Sequence, residues 1–130
     1  MVDYGMETRL AGRTLDEAKA IVTDALKQEG FGVLTEIDVR ATLKNKLGVE
    51  IEPYVILGAC NPQLAHRALE AERAAGLLLP CNVVLRQAGT DVVVMMQRPR
   101  SMLSVAGPAL EGVAADAERR LGAALERLAG

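Results

Sequence analysis

The sequence predicts an α+β fold in two layers, a mostly antiparallel sheet covered on one face by helices, as a single domain over residues 1–130. Three observations predict it. Alternating segments and segments of helical spacing follow one another as strand, helix, strand, short helix, strand, helix, strand, strand, helix. The last two strands are separated only by Ala88-Gly89-Thr90, a turn that makes them an antiparallel hairpin. Each longer helix carries one apolar stripe, so each needs a single surface to lie on.

The elements follow in order. Residues 4–11 alternate, with Tyr4, Met6, Thr8 and Leu10 on one side and Glu7 and Arg9 on the other, which reads as a strand with one wet face. Thr14-Leu-Asp-Glu17 is a capping box, in which the Thr14 and Glu17 side chains satisfy each other's backbone donors. The helix behind it carries Leu15, Ala18, Val22, Ala25 and Leu26 on one stripe with Ile21 beside it, and Gly30 is a suitable stop. Phe31, Val33, Thr35, Ile37 and Val39 alternate with Gly32, Leu34, Glu36 and Asp38 as a second strand. Asp38 can also cap a short helix with Val39, Leu43 and Leu47 at spacing four and Gly48 at its end.

Residues 54–60 form an apolar run without strict alternation, as expected of a strand covered on both faces or lying at a subunit contact. Asn61 is a good N-cap and Pro62 suits a first helical position. Leu64, Ala65, Ala68 and Leu69 face inward on that helix, whereas Gln63, His66, Arg67 and Glu70 lie outward or on its flank, and Gly76 marks the exit. Cys81, Val83 and Leu85 alternate with Asn82, Val84 and Arg86, and residues 91–97 return as the hairpin's second arm. An irregular stretch, Arg98-Pro-Arg-Ser-Met-Leu, leads to a long helix begun at Gly107-Pro108. Its inner stripe is Val113, Ala117, Leu121, Ala124 and Leu128, and its outer face carries Glu118, Arg119, Arg120, Glu126 and Arg127.

Composition narrows the partners. The core must be aliphatic, because Tyr4, Tyr54 and Phe31 are the only aromatic residues. Fifteen basic and 17 acidic residues, mixed along the chain, leave a charge of −2, with no basic stripe for a phosphate backbone and too few rings to stack bases. Nucleic acid is therefore not an expected partner. The N-terminal residues lack the basic start and apolar run of a secretory signal, and no apolar run approaches the ~20 residues of a membrane helix, so a cytoplasmic protein without a membrane partner is expected. Glycine-rich phosphate loops and the Gly-x-Ser-x-Gly elbow do not occur. An open sheet face as apolar as residues 92–96 suggest would be covered most economically by a second copy, making the expected assembly a homodimer.

The rest is organised around residues 55–85, which hold both cysteines, Cys60 and Cys81, and the only histidine, His66. Cys60 ends a strand just before a helix N-terminus, where the helix dipole favours a thiolate. Antiparallel pairing of the strands ending at Cys60 and starting at Cys81 would set the thiols side by side; parallel pairing would separate them by a strand length. Three readings stand. The thiols are small buried hydrophobes of a structural or partner-binding protein. Alternatively, Cys60, Asn61 and Cys81, with His66 as a weaker member, form a binding or sensing site for a small ligand, an anion or a metal, although C-x5-H-x14-C is no standard zinc spacing. Third, Cys60 serves thiol redox chemistry, without the C-x-x-C spacing of oxidoreductases. The carboxylates are scattered, and catalytic machinery is not evident.

The run Gly58-Ala-Cys-Asn-Pro62, Ala65 one turn on, and Gly76-Leu-Leu-Leu-Pro-Cys81 resemble the domain of unknown function 302 family. Gly30-Phe-Gly-Val-Leu34, and Arg98-Pro-x-x-Met-Leu103 before the long last helix, extend the resemblance over roughly residues 4–128. One departure follows Cys81, where Leu85 and Arg86 stand in place of an aromatic residue. The resemblance implies a small dimeric α+β protein of a mainly bacterial and archaeal family, and it implies no particular activity.

Overall fold

The computed structural model describes residues 2–129. Five strands, β1 (Gly5–Ala11), β2 (Gly32–Asp38), β3 (Tyr54–Cys60), β4 (Cys81–Ala88) and β5 (Asp91–Gln97), form one sheet in the order β1-β5-β4-β3-β2. Every neighbouring pair is antiparallel. The helices are α1 (Leu15–Gln28), α2 (Val39–Leu47), α3 (Pro62–Ala71), the single turn α4 (Pro99–Met102) and α5 (Glu111–Ala129), with 3-10 segments at Arg73–Leu78 and Leu103–Leu110. The expected α+β fold is the one observed.

Local chemistry places the helix starts. Thr14 and Glu17 make the reciprocal capping box at 3.1 and 2.9 Å. The Asp38 carboxylate accepts from the Ala41 N–H to start α2, and Gly48, at φ +69°, ends it in the left-handed conformation that glycine adopts without strain. Asn61 caps α3 with Pro62 at its first position.

Register assigns the two sheet faces. Leu10, Val92, Val94, Met96, Leu85, Val83, Val55 and Leu57 line the helix-covered face, each opposite another or flanked by it. They join Val22 and Leu26 of α1, Ala68 of α3 and Leu121 of α5 in one continuous core. The opposite face carries no helix from α1 or α5. Across it runs a row of Met95, Val84, Ile56 and Ile37, ending in Glu7 on β1, beside a row of Arg9, Val93, Arg86 and Tyr54.

Three elements differ from expectation, each for a local reason. A bulge at Leu34 shifts the β2 register, pairing Val33 with Ala59 but Thr35 with Gly58, so Val33 and Thr35 fall on opposite faces. Val39 belongs to α2 rather than β2, because the Asp38 cap ends the strand. The helix expected to run on to Gly76 ends at Ala71, where Glu72 turns extended and its carboxylate caps the following 3-10 segment through the Ala74 N–H.

Candidate functional site

The antiparallel pairing of β3 and β4 decides how the cysteines stand. Ala59 lies directly opposite Cys81, so Cys60 is one residue along from that pair. The intervening 20 residues, α3 and the 3-10 segment, return the chain through a cis Leu79–Pro80 peptide to the same end of the sheet. Both cysteines are free thiols.

Beside them is a cavity of about 310 Å³ whose wall includes Cys60, Asn61 and Cys81. Phe31, Leu64 and Leu103 make much of the remainder, with Val113 and Ala117 of α5 behind. That volume is at the lower end of small-molecule sites, and a mainly apolar wall with a few polar groups is their usual composition. Two close approaches shape it. A Cβ on Gly58 would collide with the Thr35 hydroxyl and lie 3.0 Å from the Pro80 ring, so only glycine fits there. Gly30, at φ +84°, ends α1 against the Asn61 amide, whose Nδ2 would be 2.9 Å from a Cβ at that position.

Asn61 is 6% exposed and is the buried polar residue of the site. Its Oδ1 accepts from the Leu64 N–H at 3.2 Å, which leaves Nδ2 turned toward Gly30. The thiols have a different character from the one the helix N-terminus suggested. Burial pushes the Cys60 thiol up. Burial also pushes Cys81 up to about 11, with Cys60 adding to the shift and a hydrogen bond from the Gln97 side chain opposing it. Of the first α3 positions, Pro62 has no N–H to offer and the Leu64 N–H is taken by the Asn61 side chain. Both thiols are protonated at neutral pH.

The structure thus brings Cys60, Asn61 and Cys81 together and leaves His66 outside. The His66 side chain is 77% exposed on α3, 3.5 Å from Glu70, and takes no part in the cavity wall. No cluster of three His, Cys, Asp or Glu suited to a metal occurs among the described residues. Sequence reasoning missed Arg120, assigned above to the outer face of α5. It is half-buried, and its Nη1 stands 3.8 Å from the same Gly30 position that Asn61 approaches. Its spacing held the signal: Arg120 is three residues past Ala117 and seven past Val113, both in the cavity wall. A larger depression of about 740 Å³, lined by Arg100, Ser104, Pro108 and Glu111 among others, holds none of the expected site residues. No helix is long and apolar enough to cross a membrane among the described residues.

Comparison with known proteins places these features. The model of a family described as "Domain of unknown function DUF302" matches residues 6–128. The crystal structure of an uncharacterized conserved DUF302 protein from Bacillus stearothermophilus is similar, with 35% sequence identity, a TM-score of 0.87, and coverage of 97% of this chain and 98% of that one. No curated protein matches the chain.

Proposed function

Given that the chain belongs to the DUF302 family, we propose that it is a cytoplasmic, homodimeric binding or sensing module whose ligand enters the cavity beside Cys60 and Cys81. The observation that carries this reading is the convergence of Cys60, Asn61 and Cys81, from two strand ends and a helix cap, on one cavity of ligand size with a largely apolar wall. The alternative of thiol redox chemistry at Cys60 loses support from the direction of its titration, since the attacking species is the thiolate and burial disfavours it. A metal has less support than an organic ligand, because His66 points to solvent and the two thiols hold their protons. Two adjacent unpaired thiols also suit a reducing, cytoplasmic setting.

The homodimer reading rests on the sheet face away from α1 and α5. Ile37 is 49% exposed, and the row it borders continues through the half-buried Ile56, Val84 and Met95. Acidic Glu7 and Asp91 and basic Arg9 and Arg86 are mixed on that face, a pattern that a two-fold axis can match with itself. A second copy is the occupant we propose for this face.

A native mass spectrum of the reduced protein tests the site. The expected result is an added mass that disappears on denaturation and is absent from Ala65→Phe, which places a ring in the cavity from α3. A bare wild-type species would remove the tight-ligand reading and return the cysteines to the role of small core residues.

A further inference from the structure

The wall of the cavity beside the cysteines carries an inference about the class of its ligand, and it rests on the binding-site reading above. Among the described residues, none in that wall is an acid, a base or a histidine. Phe31, Leu64, Leu103, Val113 and Ala117 are its buried part. Its polar groups are the Thr35 hydroxyl, the Asn61 amide and the two thiols, and burial keeps both thiols protonated at neutral pH. Asn61 already commits its Oδ1 to the Leu64 N–H. The charged residues next in sequence to the wall are paired outside it: Glu36 with Lys19 at 2.8 Å, and Asp116 with Arg67 at 2.7 Å. An ion brought into such a chamber loses its hydration and meets no opposite charge.

The exposed part of the wall adds a second observation. Consecutive residues of a regular strand point to opposite faces, yet Leu34 and Thr35 both stand in this wall. The β2 bulge allows it, since Leu34 is the extra residue between Val33, opposite Ala59, and Thr35, opposite Gly58. Leu34 is 68% exposed, so the bulge sets a large aliphatic side chain at the cavity and leaves most of it in water. A polar ligand gains nothing from that side chain. A hydrocarbon beside it takes apolar surface of Leu34 out of water together with its own. At about 310 Å³, the cavity lies near the bottom of the roughly 300–1,000 Å³ range of ligand pockets, so the ligand is small.

We infer that the cavity takes a small, uncharged, mostly hydrocarbon molecule that enters past Leu34 and lies against Phe31, Leu64 and Leu103. Carboxylates and ammonium compounds of the same outline are disfavoured by lost hydration rather than by size. Acetophenone, benzoate and benzylammonium are close in shape and differ in charge, so they separate the two causes.

Calorimetric titration of the reduced full-length chain with these three compounds at neutral pH tests this, with Leu34→Gln and Ala65→Phe as variants. Leu34 is exposed, so Leu34→Gln leaves the core as it is. The expected result is that acetophenone binds and that benzoate and benzylammonium bind at least about tenfold more weakly. Leu34→Gln weakens acetophenone by about fivefold, and Ala65→Phe abolishes its binding. Benzoate or benzylammonium binding as tightly as acetophenone, and lost in Ala65→Phe, overturns the uncharged class while the cavity reading stands. Acetophenone binding that Leu34→Gln leaves unchanged overturns the placement past Leu34. Binding of none of the three overturns the inference as well, and the native mass spectrum then decides the cavity reading separately.

Discussion

Cys81 holds its proton to about pH 11 because burial disfavours its thiolate, with 8% of the residue exposed. An unfolded chain releases that proton near its ordinary value of 9.0. The folded pKa is the higher one, so the associated stability is complete below pH 9 and is lost as the pH rises toward 11. Wild-type stability should therefore fall by about 2 kcal/mol more than that of Cys81→Ala across this window, since each pKa unit is worth about 1.4 kcal/mol. Urea unfolding of the two proteins at pH 8 and pH 10.5 checks it; parallel behaviour would show that Cys81 titrates normally. At this scale much was legible from the chain. Thr14, Asp38, Gly48 and Asn61 each act within three or four residues of themselves, and each caps as read. Arg120 was not legible, because a residue on the margin of an apolar stripe becomes buried or exposed according to which loop packs beside it.

Among the elements, α2 is the one held least by packing. None of its residues is buried, and Leu47 is 69% exposed. What stabilises it is local: the Asp38 cap, Gly48 at the other end, and ion pairs of Glu50 with Arg40 and Lys44 at 3.6 and 2.9 Å. Exposed pairs of that kind contribute little. Asp38→Ala should remove about 1 kcal/mol from this helix. Its amides over Val39–Leu47 should then exchange several-fold faster, while amides of β4 and β5 keep their protection, because local opening of α2 exposes little of the core. Equal loss of protection throughout would show that α2 is coupled to the whole fold. The bulge at Leu34 belongs to this scale too. Alternation in residues 31–39 reads as one continuous strand, and the extra residue becomes visible only against β3, where Thr35 must lie over Gly58.

For the molecule as a whole, the sheet has one face under α1 and α5 and one without them. Ile56 and Val84 stand side by side near the middle of that second face. Ile56→Lys should weaken self-association by about a hundredfold or more, as a central apolar anchor does when a charge replaces it. Light scattering reads the result. A dimer that becomes a monomer supports the two-fold contact through this face, whereas a monomeric wild type removes it. The variant leaves the core intact, since Ile56 lies on the face opposite Leu57 and Val55.

The sequence by itself determined the α+β class, the order of the elements, the hairpin and the caps, because each depends on spacing within one segment. It also marked Cys60, Asn61 and Cys81 as companions through their motifs. Only the tertiary structure decided that β3 and β4 pair antiparallel, that this sets the three residues in the wall of one cavity, that His66 stays outside, and that Arg120 comes beside Gly30. Those outcomes depend on contacts between segments far apart in the chain, such as Gly30 with Asn61 and Arg120, where periodicity within a segment carries no information about its neighbour.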